Sequence, residues 1–136
     1  MLYKILLEGN PIPWKRPGRS GSRYYDQQHY EKIAVRAHMK EQYPLLPITG
    51  AVIVGFTFAF EIPKSVSKKR REMMLKGEIL HTQKPDLSNL IKFVEDCGNE
   101  LLWRDDCQIV SMSLPNKKWS ATGFTEITFQ EIYPKC

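Results

Sequence analysis

The sequence predicts an α/β domain of the α+β type, a single mixed β-sheet flanked by helices, and three observations carry that prediction. The run Ala51-Val52-Ile53-Val54-Gly55-Phe56-Thr57-Phe58-Ala59-Phe60 is rich in β-branched and aromatic residues, as a central strand is. Residues 124–132 set Phe124, Glu126, Thr128 and Gln130 against Thr125, Ile127 and Phe129, the period-two pattern of a strand with two unlike faces. Between these strands lie segments whose apolar residues recur at helical spacing. With 136 residues, no internal repeat and no low-complexity linker, residues 1–136 read as one domain, long enough to bury a core.

Taken in order, residues 2–8 read as a first strand. Residues 9–24 hold three prolines and three glycines with little apolar content, which predicts a long loop. Asp26 caps a helix to about Tyr43, with Tyr30, Ile33, Ala34, Ala37 and His38 at helical spacing, and Pro44 and Pro47 end it. Gly50 opens the central strand and Pro63 stops it. Ser65 or Ser67 then caps a basic helix to about Lys76, closed by Gly77. Pro85 precedes a helix whose apolar stripe is Leu87, Leu90, Ile91, Val94 and Leu101. A strand over residues 107–114 precedes the last one.

Composition excludes some classes and favours another. No stretch approaches the ~18 apolar residues of a membrane span, and Met1-Leu2-Tyr3-Lys4-Ile5-Leu6-Leu7 lacks the apolar core and cleavage site of a signal peptide, so a cytoplasmic protein is expected. Cys97, Cys107 and Cys136 form no CxxC pair and leave an odd count, which points to free, mostly buried thiols rather than disulfides or structural zinc. His29, His38 and His81 have no ligand-like spacing and read as surface or helix-face residues. The net charge of +5 matters for where it sits. Lys15, Arg16, Arg19 and Arg23 crowd one segment and Lys64, Lys68, Lys69, Arg70, Arg71 and Lys76 another, while acids concentrate between Asp86 and Asp106. Basic arms around an acidic centre suit a metal-dependent nuclease.

The chemistry concentrates in Lys84-Pro85-Asp86-Leu87-Ser88-Asn89-Leu90-Ile91-Lys92, then Asp96, then Trp103-Arg104-Asp105-Asp106-Cys107-Gln108-Ile109-Val110. At ~100° per residue Asn89, Lys92 and Asp96 fall on one side of their helix, away from the apolar stripe. Carboxylates of this kind can hold Mg²⁺, which takes oxygen ligands and retains waters. One or two such ions neutralise a scissile phosphate and activate water, and a lysine adds fixed positive charge at the developing oxyanion. Blander readings stand beside these. On spacing alone Asp86 reads as an N-cap before it reads as a ligand, Asp105-Asp106 as a turn before a strand, Lys92 and Asp96 as an exposed i,i+4 pair, and Trp103 as core.

The order of these residues resembles the signature of the RusA family of Holliday-junction endodeoxyribonucleases: Lys-Pro-Asp-x-Asp-Asn-Leu-x-Lys, then x-Asp-Ala-Leu-Asn-Gly, then Asp-Asp-x-Gln-Ile-Val. Gly9-Asn10-Pro11-Ile12-Pro13-Trp14-Lys15-Arg16-Pro17 is similar to the family's basic N-terminal loop, Ile62-Pro63-Lys64-Ser65 with Lys68-Lys69-Arg70 to the segment after its central strand, and Lys118-Trp119-Ser120 to a Lys-aromatic step after its last acidic motif. The resemblance implies Asp86 and Asp106 as catalytic metal ligands, Asp105 as the acid beside the second, and Lys92 as a required lysine. It implies Mg²⁺, with Mn²⁺ as a substitute, and a homodimer that makes paired nicks in a four-way DNA junction, often prophage-encoded and serving recombination and repair. Lys15, Arg16, Arg19, Arg23, Lys69, Arg70 and Lys118 are then expected on DNA. Two departures stand out. Ser88 replaces a second aspartate, offering a neutral hydroxyl in its place, and Asp96-Cys97-Gly98-Asn99-Glu100 replaces Asp-Ala-Leu-Asn-Gly. With them goes a rival reading, the same fold binding junctions without cutting. A metal phosphohydrolase acting on small nucleotides would suit the acids but leave the basic arms idle.

Overall fold

A computed structural model describes residues 1–133, so Cys136 lies outside the described residues. The chain runs β1 (Tyr3–Glu8), β2 (Gly18–Ser20), β3 (Arg23–Tyr25), α1 (His29–Gln42), β4 (Ala51–Glu61), α2 (Lys68–Leu75), α3 (Leu87–Gly98), β5 (Ile109–Ser120) and β6 (Phe124–Ile132). Four strands form a mixed sheet in the order β1-β6-β4-β5, with β4 parallel to β5 and antiparallel to β6. The α+β class expected from the sequence is the one observed.

Alternation along β4 sorts its side chains. Val52, Val54, Phe56 and Phe58 are buried on one face with Phe129, Ile127 and Ile5 from β6 and β1. On that face α3 lays down Leu90, Phe93, Val94 and Cys97, all buried in the same cluster. Each such Leu, Val or Phe side chain contributes about 1.5–3 kcal/mol. Trp103 closes the cluster beneath the end of α3, fully buried, with its Nε1 donating to Asn99 Oδ1 at 2.9 Å. Gly98 is required there, because a Cβ on it would sit 2.8 Å from the Trp103 ring.

Several boundaries differ from expectation for identifiable reasons. Residues 9–24 are not a plain loop: Gly18–Ser20 and Arg23–Tyr25 pair as a hairpin around Gly21, whose φ of +63° suits glycine. α1 begins at His29, and Asp26, instead of capping it directly, accepts from the Gln28 N–H at 2.8 Å and pairs with Lys32. The inward face of α1 carries Lys32, Val35, Arg36 and Met39, whereas Tyr30, Ile33, Ala34, Ala37 and His38 are exposed. The two basic residues can turn inward because Lys32 meets Asp26 and Asp96, and Arg36 donates to the Cys97 and Asn99 carbonyls. Ser67, not Ser65, caps α2. α3 ends at Gly98, leaving Leu101 in the turn that follows.

β5 runs on to Ser120, past Pro115. It is an edge strand, where a proline is tolerated, and a register shift opposite Gly55 and Thr57 absorbs Leu114-Pro115. His81 is buried, stacked between Phe60 and Trp119 at 4.5 and 4.3 Å, rather than at the surface; its Nδ1 and the Trp119 Nε1 have no hydrogen-bond partner among the described residues. Burial, followed by the nearby charge of Lys117, holds the imidazole below its usual pKa. Cys97 is buried as expected, its thiol pushed up to about 12 by that burial, but Cys107 is exposed beside the acidic turn.

Candidate active site

Two segments bring the acids to α3. The first is the entry to the helix. Lys117 on β5 projects to the helix-covered side of the sheet and donates from Nζ to the Gln83 carbonyl at 2.8 Å and the Pro85 carbonyl at 3.0 Å, fixing the chain just before Asp86. Asp86 occupies the N-cap position, but its side chain caps nothing; its carbonyl accepts from the Asn89 and Leu90 N–H groups instead. The capping reading of Asp86 therefore holds for its backbone and not for its carboxylate, which is exposed. Ser88 is exposed in the first turn of the helix.

The second segment follows Trp103. Here Asp105 caps a single 3₁₀ turn over Asp106–Gln108: its carboxylate accepts from the Cys107 N–H at 3.1 Å, and Gln108 Oε1 accepts from the Asp105 N–H at 2.8 Å. Hydrogen bonds from the Cys107 thiol and backbone hold the Asp105 carboxyl below its usual range. Gln108 also donates to the Ile48 and Gly50 carbonyls, tying the turn to the start of β4. The turn expected at Asp105-Asp106 is thus real, and it commits Asp105 to structure. Asp106 is half-buried and faces α3, where Glu95 is half-buried as well. Burial, then the charge of Asp106, push the Glu95 carboxyl above its usual pKa, with Asp96 adding to the push and Lys92 opposing it.

Glu95 is the acid that sequence reasoning passed over. It lies seven residues after Ser88, two helical turns along the same face, and that spacing was the available signal. The polar edge expected from Asn89, Lys92 and Asp96 instead meets the N-terminal segment and α1. The Trp14 N–H donates to the Asn89 carbonyl at 2.9 Å, and Lys92 Nζ lies 3.6 Å from the centroid of the Trp14 ring. Asp96 turns to Lys32 at 3.8 Å, so Lys92 and Asp96 are not an ion pair.

Among the described residues, no three of His, Cys, Asp and Glu are grouped closely enough to hold a metal ion. The donors still suit a hard oxygen-binding cation. Mg²⁺ is commonly held by one or two carboxylates together with waters and substrate phosphate, and among the described residues Asp86, Glu95 and Asp106 are the site acids that no cap or ion pair occupies.

Of the basic residues expected on DNA, Lys15 and Arg16 are exposed just before the β2–β3 hairpin, and Arg19 and Arg23 are exposed on it. Arg19 is partly committed, donating to the Gly21 carbonyl and stacking on Tyr24. Lys69 and Arg70 are exposed on α2. Lys118 pairs with Ala59 on the sheet face away from α3, 5.6 Å from the Phe124 ring, so its neighbour Lys117 is the lysine that reaches the acidic segment.

A family model described as Endodeoxyribonuclease RusA matches residues 8–130. The chain is also 31% identical over 137 residues to the uncharacterized protein YqaN of Bacillus subtilis (strain 168), an alignment covering 95% of this chain and 96% of that relative. No helix among the described residues is long and apolar enough to cross a membrane.

Proposed function

Because the chain belongs to the RusA family of endodeoxyribonucleases, we propose that it is a divalent-metal-dependent nuclease that nicks four-way DNA junctions in recombination and repair. The observation that carries the reading is the family match over residues 8–130, which includes both acidic segments and both basic arms. Asp86 and Asp106 would hold Mg²⁺ or Mn²⁺, with Asp105 and Glu95 adding negative charge beside Asp106 and Ser88 contributing at most a neutral oxygen. A bound ion would supply positive charge against the scissile phosphate and would lower the pKa of a bound water, so that the water could lose a proton and attack as hydroxide.

The chain's own residues do the rest. Lys117 holds the backbone before Asp86 in place. Lys92 supplies a positive charge for the phosphate or the departing oxygen. The Lys15, Arg16, Arg19 and Arg23 group and the Lys69, Arg70 face of α2 would contact phosphates away from the cut, setting affinity rather than sequence preference. Paired nicks across one junction need two such sites, and a homodimer supplies them.

A second reading has specific support. Ser88 lowers the charge of the site, and among the described residues no three acids are grouped for a metal, so the same fold could bind junctions with little or no cutting. Incubating the protein with a labelled synthetic four-way junction, with and without Mg²⁺ or Mn²⁺, separates the two. Metal-dependent nicks support the nuclease. Retained binding without nicks at any metal concentration supports the binding protein.

A further inference from the structure

Lys92 has a flexible four-carbon stem, and the structure fixes its end from outside its own helix. Its ammonium lies 3.6 Å from the Trp14 ring centroid, a close cation–π contact. Trp14 is itself held firmly. Its N–H donates to the Asn89 carbonyl, on the same edge of α3, and its ring packs against the core cluster. On either side of it, the side chain of Gln28 accepts from the Lys15 N–H and donates to the Pro13 carbonyl, both at 2.8 Å, and Gln28 is fully buried. Of the two nearby carboxylates on its own helix, Asp96 is turned to Lys32, and Glu95 feels the charge of Lys92 without forming a salt bridge to it.

We propose that Trp14 is the positioning residue for Lys92, its indole face holding the ammonium at the edge of α3 so that the charge meets the scissile phosphate already in place. A charge that stabilises a transition state is most effective when it need not be gathered from many rotamers at the moment of reaction. The N-terminal segment thereby serves the chemistry as well as DNA binding. The proposal rests on the reading of Lys92 as the lysine that acts on the phosphate. The plainer role for Trp14 is to fill the groove between the N-terminal segment and α3, which any residue of similar bulk would do.

Four variants separate these roles: Trp14→Phe, Trp14→Leu, Lys92→Gln, and Trp14→Leu combined with Lys92→Gln. In single-turnover nicking of a four-way junction at saturating protein, Trp14→Leu should be slowed about two- to fivefold, the scale of a cation–π contact at an exposed lysine, with junction affinity nearly unchanged. Trp14→Phe, which keeps an aromatic face, should recover most of the rate. In the Lys92→Gln background Trp14→Leu should cost nothing further. A readout independent of DNA and metal is the NMR shift of the Lys92 ε-methylene, which should lie upfield under the indole ring current, stay partly so in Trp14→Phe and lose the shift in Trp14→Leu. Should Trp14→Leu fail to fold, Trp14→Met carries the same comparison. Equal slowing by Trp14→Leu with and without Lys92, or no upfield shift in the natural protein, overturns the proposal. If Lys92→Gln cuts at the natural rate while the upfield shift is present, the catalytic reading of Lys92 is what fails, and the positioning role with it.

Discussion

Lys117→Met should slow nicking without unfolding the protein. Methionine keeps the apolar stem of the lysine and removes the ammonium that bonds the Gln83 and Pro85 carbonyls at 2.8 and 3.0 Å. A hydrogen bond to a charged group is worth about 1.5–3 kcal/mol when shielded, and less where water can replace it. The Gln83 contact is exposed and the Pro85 contact part-buried, so the pair contributes about 1–2 kcal/mol to holding the segment before Asp86. If that energy serves to present Asp86, its loss converts to roughly a 5- to 30-fold slower nicking rate. The assay is single-turnover nicking at several Mg²⁺ concentrations, run beside urea unfolding of both proteins. A variant that loses stability by this amount yet nicks at the natural rate, with the same Mg²⁺ requirement, would show that Lys117 only fastens the loop.

Two further outcomes follow from the same geometry. Ser88→Asp restores the carboxylate that the family signature carries and should lower the Mg²⁺ concentration needed for half-maximal nicking. Superimposable Mg²⁺ titrations of the two proteins would mean that position 88 faces no ion. His81 has a folded-state pKa below 6.5, so as pH falls through that value the unfolded chain takes up its proton first. Its contribution to stability is therefore present above about pH 6.5 and lost below it, and His81→Phe, which keeps the stack between Phe60 and Trp119, should flatten that loss in urea midpoints compared at about pH 7.5 and pH 5. An unchanged slope would place the pH dependence elsewhere.

The elements with a single strong periodicity were legible in the sequence: β4 from its β-branched and aromatic run, β6 from its alternation, and α3 from its stripe behind Pro85. Where the sequence misled, burial came from partners that composition does not reveal. Lys32 and Arg36 turn inward because carboxylates and helix-end carbonyls meet them, which left Tyr30 and Ile33 outside, against the apolar pattern. The β2–β3 hairpin has strands of three residues, too short to show a period.

In the site, the family-like order of residues pointed to Asp86, Lys92, Asp105 and Asp106, and the structure assigns them unlike surroundings: a free carboxylate, a cation on an aromatic ring, a cap, and a half-buried acid facing α3. Lys117, Trp14 and Glu95 escaped notice because each gains its role from a contact across the fold. Two backbone carbonyls and a ring 78 positions away from its lysine leave no local mark, and the one mark Glu95 left, its spacing from Ser88, gains meaning only from Asp106 across the fold.

Metal-dependent nicking of a synthetic four-way junction by the natural protein and by Asp106→Asn tests the central claim most directly. The natural protein should nick only with Mg²⁺ or Mn²⁺, and Asp106→Asn should bind the junction as well or better while nicking at least a hundredfold more slowly, since the amide removes both a ligand and a repulsive charge. Nicking by Asp106→Asn at the natural rate, or nicking that persists in excess chelator, would contradict the account.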